Sequence, residues 1–112
     1  MPMFTGEIVM GKSKKVIDVV FDTGSDWLVI PDSDCTSCKG QKYNSSESVP
    51  VNTTLTSREY GSAYLNGTTF SDTVCLDQMD KTCAKNFTYF AFNNQKGLNP
   101  PIEGILGLCL GY

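Results

Sequence analysis

A single carboxylate on a glycine-closed turn is the feature of this sequence best suited to chemistry. Asp22 follows the largely apolar run 16–21 and is followed at once by Thr23, Gly24 and Ser25. Glycine tolerates positive φ and lets another chain come close. The two hydroxyls can donate hydrogen bonds that favour the ionised form of a partly buried acid and fix its orientation. The turn therefore predicts an acid-base group at a strand end, although ordinary turns also contain the triplet Asp-Thr-Gly.

The composition leaves carboxylates as the groups available for acid-base work. The 112 residues include no histidine, which excludes Ser-His and Cys-His catalysis and histidine-ligated metal within this sequence. The net charge of -3, with no basic cluster larger than 12–15, argues against a nucleic-acid partner. No apolar stretch approaches the roughly 20 residues of a membrane span, so no membrane partner is expected. No cofactor or metal is expected either.

Five cysteines allow two disulfides and leave one thiol. Cys35 and Cys38 are predicted to close a small loop, and Cys75 and Cys83 to join the ends of a hairpin. A zinc site is the alternative, but the spacing Cys-x7-Cys is poor for a zinc knuckle. Cys109, in an apolar segment, is predicted to be a buried thiol, with an intermolecular bridge as its alternative.

N-glycosylation patterns indicate the compartment. Four of the seven asparagines are followed at the second position by Ser or Thr, namely Asn44, Asn52, Asn66 and Asn86. Chance predicts roughly one such match, so the excess favours the secretory pathway, with a secreted or a lysosomal or vacuolar destination. The first residues lack the pattern of a signal peptide. The sequence is therefore expected to be a mature or excised piece of a longer precursor.

The pattern of apolar runs and turn residues predicts an all-β domain. Strands are predicted at 6–10, 15–21 and 28–31, with a solvated hairpin turn at 11–14. The polar segment 32–57 is predicted to be an exposed loop with one short edge strand at most. Asn66-Gly67 is predicted to be a two-residue hairpin turn between strands at 58–65 and 68–76. A second hairpin across 77–85, a strand at 87–92, a loop at 93–101 and an apolar segment at 102–110 complete the chain.

Three segments together resemble the N-terminal lobe of the pepsin-like aspartic endopeptidases, in that family's order and approximate spacing. They are Phe-Asp-Thr-Gly-Ser at 21–25, Tyr-Gly-Ser at 60–62 and Glu-Gly-Ile-Leu-Gly-Leu at 103–108. The second resembles the family's flap, a hairpin that covers the substrate. The resemblance implies the all-β, double-lobed acid protease fold. Residues 1–112 would then be a single partial domain, the N-terminal catalytic lobe, with the C-terminal lobe outside this chain.

The resemblance also implies roles for particular residues. Asp22 would be one member of a catalytic aspartate pair, with Ser25 bonded to its carboxylate, Thr23 holding the two loops together and Gly24 closing the turn. The flap residues Tyr60, Gly61 and Ser62 would cover the substrate, a peptide or protein. An apolar pocket for a substrate side chain would be lined by Val20, Ile102 and Ile105. The activity implied is peptide-bond hydrolysis by activated water.

Departures from the family pattern leave alternatives open. The sequence has only one Asp-Thr-Gly, so a catalytic pair needs a second aspartate from outside this chain, and the favoured source is the C-terminal lobe of the same protein. One alternative is a homodimer like the retroviral peptidases, in which each chain supplies one aspartate. Another is a non-catalytic peptide-binding module on a degenerate protease fold. In addition, Trp27 lies two positions before the usual family tryptophan, whose place is taken by Val29, and core packing is predicted for Trp27.

Overall fold

The structure, a computed structural model, describes residues 4–22, 27–38, 40–60, 63–76, 79, 81–97 and 104–107. Within this part of the chain, seven strands form one sheet, and the one helix is a short 3-10 turn at Ser45–Glu47. The strands are β1 (Phe4–Met10), β2 (Lys15–Asp22), β3 (Leu28–Pro31), β4 (Val49–Tyr60), β5 (Ala63–Cys75), β6 (Cys83–Lys96) and β7 (Ile105–Gly107). The prediction of an all-β fold is confirmed.

The strand order is β1-β2-β7-β3-β6-β5-β4, and β1 also pairs with β5, which curls the sheet on itself. Two apolar clusters lie against it because β3 and residues 89–92 of β6 are buried on both faces. Leu28 and Ile30 contribute to one cluster, and Val29 between them contributes to the other. Tyr89 and Phe90 on β6 divide in the same way. Successive side chains of a strand point to opposite faces, so one strand can serve two cores.

The predicted hairpin turn at Asn66-Gly67 is wrong. Both residues lie inside β5, at a register irregularity against β6. A Cβ on Gly67 would lie 2.0 Å from the carbonyl oxygen of Ala91, so the glycine permits a close approach of two strands rather than a turn. The hairpin partner of β5 is β4, whose last residue Tyr60 pairs with Ala63.

Two segments predicted as loops contain strand. β4 occupies 49–60 and lies at one end of the strand order, and its residues 49–57 are exposed. A strand without a buried face has no apolar alternation, so sequence patterning does not reveal it. β6 runs on to Lys96, into the segment predicted to be a loop from 93 onward. The turn predicted at 11–14 is confirmed.

The structure joins Cys35 to Cys38 and Cys75 to Cys83, the two pairings that the sequence favoured over zinc. Cys75 and Cys83 are also register partners of β5 and β6, so this disulfide links the two strands where they separate. Cys109 lies outside the described residues.

A hydroxyl and carboxylate network anchors the segment between β3 and β4. Asp72 on β5 accepts hydrogen bonds from Tyr43 Oη at 2.6 Å and from Ser48 Oγ at 2.7 Å. Ser48 has one hydroxyl hydrogen and gives it to Asp72, so Tyr89 Oη, 2.7 Å away, donates to Ser48. Burial, with Asp72 as a further cause, raises the pKa of the Tyr43 phenol well above its usual range, and burial does the same to the pKa of Tyr89.

These phenols predict a loss of stability in alkali. Both folded pKa values lie above the ordinary 10.0, so the folded state holds the two protons more tightly than the unfolded state. Their stabilising contribution is full below pH 10 and falls as the pH rises further, by about 1.4 kcal/mol per pH unit for each phenol. Denaturant titrations at several pH values would measure this slope. A Tyr43→Phe variant should show a shallower slope, and an unchanged slope would contradict the assignment.

Candidate active site

Asp22 is the last residue of β2, and β7 pairs with the strands on both sides of residues 23–26. β7 lies between β2 and β3, parallel to β2 with Asp22 opposite Gly107, and antiparallel to β3 with Leu28 opposite Leu106. The Gly107 N–H donates to the carbonyl of Trp27 at 2.9 Å. One short strand therefore fixes the backbone on both sides of residues 23–26. Thr23, Gly24 and Ser25 lie outside the described residues, and for Asp22 the structure gives the backbone.

The apolar residues expected near the acid are partly brought together. Val20 and Ile105 are register partners across β2 and β7, two residues before Asp22 and Gly107 respectively. Val20 is half-buried and Ile105 is buried against the cluster that contains Val29 and Phe90. Ile102 lies outside the described residues. Gly104 allows this packing, since a Cβ there would crowd Val19 and the carbonyl oxygen of Val29 at 3.1 Å.

The expected flap is the hairpin of β4 and β5. Tyr60 and Ala63 pair at its end, and Arg58 pairs with Leu65 two residues further down. Gly61 and Ser62 lie outside the described residues. A tight antiparallel hairpin that ends at these positions matches the segment in which the sequence resembles a flap.

Arg58 joins this hairpin to the segment after the Asp22 turn. Its guanidinium carbon lies 4.1 Å from the centroid of the Trp27 ring and 4.9 Å from that of Phe90. The Trp27 ring also packs against the cluster of Val29 and Phe90, as predicted from the sequence. No sequence motif points to Arg58. The available signal was that it is the chain's only arginine and lies two residues before Tyr60.

The described residues include no group of three metal-binding side chains close enough to hold an ion. No helix in this part of the chain is long and apolar enough to cross a membrane. The described residues thus bring together a strand that ends at an aspartate, apolar neighbours at Val20 and Ile105, and a hairpin that contacts Trp27 through Arg58.

The four asparagines of the glycosylation patterns have different surroundings. Asn44, Asn52 and Asn86 are exposed. Asn44 accepts hydrogen bonds from the backbone and hydroxyl of Ser46, and Asn86 has a positive φ of 55°. Asn66 is half-buried on β5 and accepts a hydrogen bond from the Ser57 hydroxyl.

Comparison with known proteins agrees with this geometry. The profile of the family described as eukaryotic aspartyl protease matches residues 3–112. Vacuolar protease A of Aspergillus fumigatus is 35% identical to this chain in an alignment 117 residues long, and the alignment covers 97% of this chain. The chain spans 28% of the length of that protein.

Proposed function

Because this chain belongs to the eukaryotic aspartyl protease family, we propose that it is the N-terminal lobe of an aspartic endopeptidase whose second catalytic aspartate lies in a C-terminal lobe. Residues 1–112 are on this proposal one partial domain, and activity requires both lobes. The match to 28% of the length of a vacuolar protease supports a larger whole. The substrates are peptides or proteins.

The proposed mechanism follows from the chemistry of two neighbouring carboxyls. Amide hydrolysis needs a water made nucleophilic and a proton for the leaving nitrogen. Two carboxyls a few ångströms apart cannot both ionise without a large electrostatic cost, so the pair shares one proton; the aspartic protease dyad is the standard example of this effect. The ionised member then takes a proton from the water, and the protonated member supplies one to the substrate.

The observation that supports this function most strongly is the position of β7. By pairing with Asp22 on one side and with β3 on the other, it fixes the backbone of both ends of the turn. A catalytic group must be held within a fraction of an ångström of its productive position. Fixing the turn from both sides provides such support for the carboxylate, with Thr23, Gly24 and Ser25 proposed to orient it.

The remaining site residues are proposed to bind the peptide. Tyr60, Gly61 and Ser62 would close over it, which excludes water and supplies backbone hydrogen bonds. Val20, Ile102 and Ile105 would form an apolar pocket for a substrate side chain. The pairing of Val20 with Ile105 beside Asp22 supports this assignment.

Assays of the full-length protein would test the proposal. We expect hydrolysis of an unfolded protein substrate at acid pH and its inhibition by pepstatin, and no hydrolysis by residues 1–112 alone. An active, stable dimer of residues 1–112, seen by sedimentation, would instead support the retroviral arrangement. A full-length protein that binds peptides but does not cleave them would contradict the enzymatic assignment.

We also propose a secretory destination, secreted or vacuolar, with N-linked glycans at the four predicted asparagines. In protein made by a eukaryotic secretory host, enzymatic deglycosylation should convert Asn44, Asn52 and Asn86 to aspartate, which peptide mass spectrometry detects. Asn66 should show the lowest occupancy because its side chain is half-buried. Complete absence of conversion would contradict the glycoprotein assignment.

A further inference from the structure

The chain's only arginine stacks on its only tryptophan. Arg58 lies on β4, on the arm of the hairpin that ends at Tyr60, and Trp27 lies five residues after Asp22. The guanidinium also lies over the ring of Phe90, which is fully buried. A cation held against two aromatic rings is stabilised by their quadrupoles, and more strongly where water is excluded.

Burial of the Arg58 Nε atom has a free-energy cost, which the attraction between the guanidinium and the two rings must offset. The Nε atom of Arg58 is buried and has no hydrogen-bond partner among the residues that the structure describes, which is unfavourable for a donor attached to a charged group. An apolar side chain on β4 would fill the same space without that cost. The planar guanidinium differs from such a side chain in its attraction to the Trp27 and Phe90 rings.

We propose that Arg58 is a positioning residue, which docks the base of the substrate-covering hairpin onto the segment that follows the catalytic turn. A continuous series of contacts supports this. Asp22 is the register partner of Gly107, and the Gly107 N–H donates a hydrogen bond to the carbonyl of Trp27. The guanidinium of Arg58 lies over the Trp27 ring. Arg58 is in turn two residues from the end of β4. On this inference, which rests on the proposed function, the docking keeps the hairpin in the closed position that binds substrate.

Removing the contact should weaken substrate binding more than turnover. If the closed hairpin is populated in only a fraction of the free enzyme, the apparent affinity for substrate falls by that fraction. Saturating substrate restores closure, so kcat should be retained. For Arg58→Met in the full-length protein we expect KM to rise about tenfold with kcat within about twofold of wild type.

Matched variants separate docking from charge and from stability. Arg58→Lys keeps the charge but loses the planar stack, so its KM should lie between those of the wild type and Arg58→Met. Trp27→Leu should raise KM similarly, and the double variant should show no further rise because both changes remove one contact. Lys85→Met, at an exposed position on β6, removes the same charge and should leave KM unchanged.

Several outcomes would overturn the docking role. One is an unchanged KM in Arg58→Met, and another is additive effects on KM in the double variant. A third is an Arg58→Met protein in which kcat and the melting temperature fall together while KM stays the same. A wild-type protein that cleaves no peptide would instead refute the proposed function. The contact itself would then be tested by the fluorescence of Trp27, obtained as the difference between the spectra with and without Trp27→Phe. This emission should shift to the red in Arg58→Met. An unchanged emission would exclude the stack.

Discussion

Replacing Asp22 by Asn in the full-length protein is expected to lower kcat/KM for peptide hydrolysis by about 10³-fold or more. The amide has nearly the shape of the carboxylate but cannot take a proton from water, so the shared-proton chemistry of the pair is lost. Substrate binding should change little, because the apolar wall of Val20 and Ile105 and the hairpin remain. Steady-state kinetics with a peptide substrate at acid pH would measure both terms.

Asp18 offers a matched control on the same strand. It is exposed on β2 opposite Glu7 and takes no part in the proposed site. Asp18→Asn removes the same charge four residues earlier and should leave kcat/KM unchanged. Pepstatin-sensitive activity that survives in Asp22→Asn would show that Asp22 is not a member of the catalytic pair, whatever the result for Asp18.

The largest expected loss of stability is that of Gly67→Ala. The added methyl would lie 2.0 Å from the Ala91 carbonyl oxygen and 2.6 Å from the Phe92 Cα, both backbone atoms that cannot rotate away. β5 and β6 would have to separate, which would break their pairing next to the register shift at Gly67 and disturb the packing of Phe90 and Phe92. We expect a loss of about 3 kcal/mol or more in the free energy of unfolding, measured as a shift of the denaturant midpoint.

Gly40→Ala separates this clash from backbone strain. Gly40 is exposed in the segment after β3 and has a φ of 91°, so alanine there costs conformational energy, about 1–2 kcal/mol. The Gly67 variant should be clearly less stable than the Gly40 variant. Equal losses would mean that β5 and β6 move apart readily and that the contact at Ala91 is unimportant.

Asn66-Gly67 shows how a strong local signal can be misread. In isolation this dipeptide favours a two-residue turn, because both residues tolerate the required backbone angles. Here it lies within β5, and the glycine is needed because another strand comes close. β4 shows the opposite error, since its exposed and polar residues 49–57 resemble a loop but pair with β5. In both cases the partner strand, absent from any local window, decides the structure.

Residue patterns alone predict the all-β class, the strand at 15–21 that leads into Asp22 and the favoured cysteine pairs, because strand propensity and short loop closure act between near neighbours in the chain. The position of β7 between β2 and β3 and the contact of Arg58 with Trp27 depend on the folded chain. Asp22 and Gly107 are 85 positions apart, and Trp27 and Arg58 are 31 apart. Such contacts depend on how the whole sheet curls and pairs, because the free energy that selects them comes from burial shared among distant strands.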